Sequence, residues 1–378
     1  MRIIFVLVAS LLASVAVAQE APRARDLGVP FSGAPGPLNA ITDVAGVTVG
    51  HETIIRDFRG GHTARTGVTA ILPRGEDTLS TPVFAGFFSL NGNGEMTGTH
   101  WIEESGYLEG PVMLTNTHSV GAVHDATIKW RVRKASADST GYWWSLPVVA
   151  ETWDGRLNNI NGFYVEEKHV ARALESAKSG PVAEGNVGGG TGMICHEFKC
   201  GIGSASRRVE VRDAAYTVGV LVQANYGARS ELRIAGVPVG KHLTEDLAYD
   251  DPQGDTGSII IVVATDAPLL PHQLDRIAKR ASLGLARMGS YAGNGSGDIF
   301  IAFSTAEAKG DSAVKDAPFI ANDALDPLFL ATARATEEAI VNAMVAARDM
   351  TGDQGHRAVA IDHEALKAVL KEYGRLGD

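Results

Sequence analysis

Among the residues able to do chemistry, Gln253-Gly254-Asp255-Thr256-Gly257-Ser258 comes first, because a flexible polar stretch runs straight into the most apolar run of the chain, residues 259–265. The ordinary reading of such a segment is a loop that ends in a strand. Its chemical reading is a serine that becomes an amino terminus. Ser258 Oγ attacks the carbonyl of Gly257, the acyl group shifts from nitrogen to oxygen, and water hydrolyses the ester. Glycine at 257 brings no side chain to crowd that attack. The freed α-amine, ordinarily titrating at about 7.7–8.0, can take up the hydroxyl proton near neutral pH, so one residue supplies both nucleophile and base.

Three further places could complete the site. Asn225, in Gln223-Ala224-Asn225-Tyr226-Gly227, closes an apolar run and could donate its amide to an oxyanion, or equally serve as a turn residue bonded to its own backbone. Ser296 and Asp298, in Gly293-Asn294-Gly295-Ser296-Gly297-Asp298, precede another apolar run. A carboxylate there could orient a hydroxyl and an amine, or form an Asx turn. Glu151, in Glu151-Thr152-Trp153-Asp154-Gly155, could receive a substrate's ammonium beside the aromatic wall of Trp153, although a surface turn explains the segment as cheaply.

Other motifs fail on context. Gly188-Gly189-Gly190-Thr191-Gly192 resembles a phosphate loop, but no amphipathic helix follows it and no Lys-Ser/Thr pair closes it. His118 and His124 lack the spacing of a metalloprotease helix, so no metal is expected. Gly295-Ser296-Gly297 leads into a strand rather than a helix, which disfavours an α/β-hydrolase elbow.

These residues need strands to carry them. The runs 67–72, 83–88, 112–114 and 215–224 read as buried strands divided by Gly, Asn and Pro, and 258–265, continuous and β-branched, as one buried on both faces. A strand is expected at 299–303. Helices are expected at 165–178, from Pro271 with Leu274, Ile277, Ala281, Leu285 and Met288 on one face, at about 326–350, and at 362–373 with Asp362 as cap. Strands and helices in separate runs suggest a layered α/β sandwich.

With 378 residues, 45% hydrophobic and 21% charged, the chain can bury a sizeable core, and length alone leaves one domain or two open. The net charge of −10 opposes an electrostatic grip on nucleic acid or on an anionic membrane. Arg2, an apolar run and Ala16-Val17-Ala18 form a signal-peptide pattern, giving the expectation that residues 1–18 are removed and the rest is exported to a periplasm. The two cysteines, Cys195 and Cys200, would pair in an oxidising compartment or remain as buried thiols; the sequence leaves both readings open.

Five ordered segments then converge. Asn91-Gly92-Asn93-Gly94-Glu95-Met96-Thr97-Gly98, Glu184-Gly185-Asn186-Val187-Gly188-Gly189-Gly190-Thr191-Gly192-Met193, Ala224-Asn225-Tyr226-Gly227, Thr265-Asp266-Ala267-Pro268-Leu269-Leu270-Pro271 and Asn294-Gly295-Ser296-Gly297-Asp298 resemble the self-processing serine aminopeptidases. That family holds the L-aminopeptidase/D-Ala-esterase/amidase and the β-peptidyl aminopeptidases, and the resemblance spans nearly the whole chain after the signal. It implies an αββα sandwich of the N-terminal-nucleophile type, a single catalytic domain over 19–378, and a cut between Gly257 and Ser258. The resulting α chain (19–257) and β chain (258–378) stay together, usually in a homotetramer, and no cofactor is implied. Carried over by motif, Ser258 is the nucleophile, Asn225 the oxyanion amide, Ser296 and Asp298 the supporting pair, and Glu151 the anchor of the substrate's amine.

Asp298 stands where the β-peptidyl relatives commonly have Glu, one methylene longer. Trp153 stands where the L-aminopeptidase/amidase has a tyrosine whose hydroxyl helps the oxyanion hole; in lacking it the sequence is similar to the β-peptidyl type. The Gly-Ser junction, in contrast, resembles the L-aminopeptidase branch. The reading leans to a β-peptidyl aminopeptidase acting on short peptides or amino-acid amides, with the L-aminopeptidase/D-amidase as alternative. Acyl transfer between amines is disfavoured, because the ornithine acetyltransferases it would resemble are cytosolic and use Thr. An exported binding protein that kept the pocket without the chemistry is the alternative of another class; it predicts an uncut chain and a Ser258 that resists serine-directed reagents.

Overall fold

The computed structural model describes residues 22–134, 144–251, 254–307 and 313–376. The expected signal peptide and Gln253 lie outside the described residues. In chain order the strands are β1 Thr48–Asp57, β2 Thr63–Leu72, β3 Val83–Gly92, β4 Tyr107–Leu108, β5 Val112–Asn116, β6 Val148–Thr152, β7 Ile194–Cys195, β8 Phe198–Lys199, β9 Ile202–Val211, β10 Ala214–Tyr226, β11 Gly257–Thr265 and β12 Ser296–Ser304, with a short pair β13 Met350–Thr351 and β14 Arg357–Ala358. The helices are α1 Thr99–Ser105, α2 Val120–Lys134, α3 Glu167–Glu175, α4 Pro271–Arg287, α5 Asp326–Val345 and α6 His363–Glu372.

Two sheets carry the fold, one of four strands in the order β1-β2-β5-β6 and one of six in the order β4-β3-β12-β11-β10-β9. The alternation along β11 shows how they stack. Ile260, Val262 and Ala264 join Ile71, Leu114 and Ala150 of the smaller sheet in one apolar cluster, while Ile259, Ile261 and Val263 join Leu274, Ile277 and Ala339 of α4 and α5 in another. Successive strand residues point to opposite faces, so β11 is apolar throughout because both of its faces are covered. On the far side of the smaller sheet, Val123 and Trp130 of α2 and Val170 and Leu174 of α3 close a third cluster with Ile54 and Val68. The layers are therefore helix, sheet, sheet, helix, as expected.

The expected strands and helices are present with shifted ends. The helix expected at 165–178 is shorter, and the one expected at 326–350 stops at Val345. Asp362 caps α6 as expected, accepting from Ala365 N–H at 2.8 Å. No described helix is long and apolar enough to cross a membrane.

The glycine run 188–192 is packing, not a phosphate cradle. A Cβ on Gly189 would lie 2.1 Å from Gln223 Oε1, and one on Gly192 would lie 2.2 Å from the carbonyl oxygen of Arg65. The run is a backbone wedge between the two sheets, where only the smallest residue fits.

Candidate active site

Gly257 opens β11 at φ +101°, a left-handed conformation, and a Cβ there would fall 2.0 Å from the carbonyl oxygen of Asn225. Glycine is thus demanded by backbone conformation and close approach. The close approach adds to the room that glycine leaves for the attack. Ser258 follows, 5% exposed, between Asn225 of antiparallel β10 and Gly297 of parallel β12. Partners in register share a face, so Ser258 and Asn225 both point between the sheets. Asn225 Oδ1 accepts from Ile194 N–H at 2.8 Å, which leaves its amide hydrogens as the free donors.

Ser258 and Asn225 line a cavity of about 440 Å³ together with Glu151, Trp153, Thr117 and Gly257. Glu151, at the end of β6, is 3% exposed. One carboxylate oxygen accepts from Glu95 N–H at 3.1 Å and the other from the Thr117 hydroxyl. Burial pushes its carboxyl above the usual range, against the pull of those two donors. No lysine or arginine among the described residues pairs with it. A buried carboxylate in that state gains most from a cation arriving out of the cavity, and an ammonium group is such a cation. Trp153, half-exposed at the rim, lays its ring over Gly155, where a Cβ would come within 2.4 Å of the ring.

Ser296 and Asp298 lie elsewhere. They pair in register with Gly257 and Ile259, the neighbours of Ser258, and neither lines the cavity. Both are fully buried, and Ser296 Oγ donates to Asp298 Oδ1 at 2.6 Å. Burial pushes the Asp298 carboxyl up to about 6, and the nearby charge of Asp255 adds to the rise. The placement puts this pair on the face of the sheet opposite to the Ser258 hydroxyl, beside the main chain of Ile259. Asp154, the second acid of the Glu151 segment, is also absent from the cavity wall; it is buried, accepts from Asn158 at 2.9 Å, and is pushed up to about 7 by burial.

Several lining residues escaped the sequence reading. Asn93, Ile194, Glu197, Tyr226 and Tyr249 also wall the cavity. Asn93 donates to the carbonyl oxygen of Gly295 at 3.0 Å, which explains its place in the first glycine-asparagine motif. Cys195 and Cys200 form a disulfide across the β7–β8 hairpin, whose turn residues His196 and Glu197 both have positive φ, 48° and 61°. That hairpin delivers Ile194 to Asn225 and Glu197 to the cavity. Lys199, fully buried behind it, donates to the carbonyl oxygens of Met193 and Cys200, and burial holds its ammonium well below the usual lysine range.

Known proteins match the chain along nearly its full length. Residues 39–358 fit the model of peptidase family S58. The β-peptidyl aminopeptidase BapA of Sphingosinicella microcystinivorans is 53% identical over 98% of this chain and 97% of its own. The L-aminopeptidase D-Ala-esterase/amidase of Ochrobactrum anthropi, a serine aminopeptidase with a variant of the Ntn hydrolase fold, superposes with a TM-score of 0.87 at 52% identity, covering 94% of this chain and 100% of that one. A β-aminopeptidase from Burkholderia sp. superposes with a TM-score of 0.86 at 48% identity, covering 93% and 99%.

Proposed function

The chain belongs to peptidase family S58 and is an aminopeptidase, and from that premise we propose that it cuts itself between Gly257 and Ser258 and then releases N-terminal residues through an acyl-enzyme on Ser258. The observation that carries this reading is the junction of a positive-φ glycine and a cavity-facing serine at the start of a strand held on both sides. Ser258 Oγ attacks the substrate carbonyl, the new α-amine takes its proton, and the Asn225 amide donates to the oxyanion. Glu151 holds the substrate's ammonium, which restricts hydrolysis to the first residue. Ser296 and Asp298 orient the α-amine and stabilise its charged form while it carries the proton.

The preferred substrates are short peptides or amides opening with a β-amino acid. Trp153 supports this preference, since it brings no hydroxyl to the oxyanion, as does the BapA relative at 53% identity. The Gly-Ser junction and the 52% identity to the L-aminopeptidase D-Ala-esterase/amidase favour the second reading, L-α-amino substrates. Export to a periplasm fits the signal pattern at 1–18 and the Cys195–Cys200 disulfide. Association of the processed chains as αβ units in a homotetramer is part of the same proposal.

Purified protein should give two bands on a denaturing gel, the smaller beginning Ser-Ile-Ile-Ile, and the Ser258→Ala chain should give one band and no turnover. A Ser258→Ala chain that still splits at this bond would overturn the proposal. Rates on β-alanyl, L-alanyl and D-alanyl amides decide the substrate class, with β-alanyl amides expected to be fastest.

A further inference from the structure

Just upstream of Ser258 the chain is held more tightly than a linker needs. Asp255 is 3% exposed, and its Oδ2 accepts from Ser290 Oγ and from Tyr291 N–H, both at 2.7 Å. Its own N–H donates to Tyr291 Oη at 2.9 Å. A Cβ on Gly293 would lie 1.9 Å from the Asp255 carbonyl oxygen, so the two backbones touch. One residue on, the carbonyl oxygen of Thr256 accepts from Gly227 N–H at 3.2 Å, and Gly257 then packs on Asn225. The turn that grips Asp255 is itself braced, because Asn91 Nδ2 donates to the carbonyl oxygens of Ala292 and Gly293. Neither Asp255, Ser290 nor Tyr291 lines the cavity.

We propose that Asp255 is a positioning residue for self-cleavage, tying the acyl side of the Gly257–Ser258 bond to the 290–293 turn so that the Gly257 carbonyl is presented to Ser258 Oγ. The inference rests on the self-cleaving reading of Ser258. In the step it serves, the Oγ–C bond forms, the C–N bond breaks, and the Oγ proton passes to the departing nitrogen. Water then hydrolyses the ester to the Gly257 carboxylate and the Ser258 hydroxyl. For a residue to reach its own preceding carbonyl, the peptide must turn out of the extended path. On the amine side, β11 is fixed by ladders to β10 and β12, so the turn must be held from the acyl side. Gly257 is where it is made, and Asp255 is the nearest charged anchor beyond it. An attack held in the right geometry gains its rate from orientation alone, and a small misplacement forfeits it.

The test follows the processing of freshly made precursor on denaturing gels, and separately the turnover of the processed fraction at about pH 8, where Asp298 is ionised with or without the Asp255 charge. Asp255→Ala should process about tenfold more slowly or worse, Tyr291→Phe should slow by a smaller factor, and Asp255→Asn, which keeps an acceptor, should fall between Asp255→Ala and wild type. The processed fractions should keep kcat and KM within about threefold of wild type, because Asp255 does not line the cavity. Processing of Asp255→Ala at the wild-type rate overturns the proposal, as does turnover that falls in step with processing. Should Asp255→Ala fail to fold, Tyr291→Phe decides, since Tyr291 is 62% exposed and the variant loses only the hydroxyl that accepts from Asp255 N–H; wild-type processing there overturns the clamp. A wild-type chain that stays whole, or a Ser258→Ala chain cut at the same bond, sinks the self-cleaving reading instead.

Discussion

Glu151 and Asp298 are both buried carboxylates whose protons burial makes harder to remove, yet the structure treats them differently. Glu151 faces the cavity and both of its oxygens are engaged by donors, so it is ready for a cation that diffuses in. Asp298 is sealed from the cavity, accepts from Ser296 with one oxygen, and is steadied by the main chain of Ile259. The cation it suits is the chain's own amine, which exists only once the backbone beside it is cut. In the proposed function one acid serves a substrate and the other serves a terminus, and the same electrostatics suits both roles.

Removing the first charge should have the larger effect. Glu151→Gln should lower kcat/KM on free-amine substrates about 100-fold, mostly through KM, the loss expected for one charge-assisted contact to a buried partner. Processing of its precursor should continue, because that reaction has no substrate ammonium; arrested processing would erase the distinction between the two acids. Asp298→Asn should slow turnover about tenfold and alter the pH profile.

The sign of that pH effect follows from the raised carboxyl. In the proposed role Asp298 works as a carboxylate, and in the uncut chain burial holds its carboxyl up at about 6. In the processed enzyme the neighbouring ammonium favours the carboxylate, which moves the acid limb of turnover to lower pH. An acid limb of turnover that stays at about 6 would place Asp298 away from the amine. For stability the sign is opposite: a carboxyl raised from 3.8 to about 6 in the fold disfavours its own ionisation, so this group costs stability as pH rises through that window.

The smallest effect should come from the hairpin. Replacing Cys195 and Cys200 by Ser should lower kcat about threefold, since Ile194 would then hold the Asn225 amide less firmly, and should leave KM for a small amide nearly unchanged. An unchanged kcat would mean that Asn225 needs no brace.

What the sequence revealed was whatever lies within one strand or one turn. The apolar run after Ser258 announced a strand covered on both faces, and the glycines announced tight approaches, although at 188–192 they serve packing between sheets. Helix α2 escaped because its buried face, Val123, Ala126, Thr127 and Trp130, has helical spacing but spends two of its four positions on residues with little apolar weight. Thr117 drew no reading beside His118, and its partner proved to be Glu151, 34 residues away. Asp255 was one more polar residue in a polar stretch until the fold brought the 290–293 turn to it. The separation of Ser296 and Asp298 from the cavity was equally invisible, because it depends on which residues of β12 face those of β11.

The order of the larger sheet has a further consequence. β11 and β12 lie after the proposed cut, and they sit between β10 and β3, which lie before it. Each border is a full-length ladder, Asn225 to Val218 against Ser258 to Thr265 on one side and Gly92 to Phe84 against Gly297 to Ser304 on the other. The piece after the cut is thus a keystone, and neither piece has a place to fold without the other. Synthesis as one chain guarantees the pairing, and the proposed scission would sever a bond without dissolving a cooperative unit.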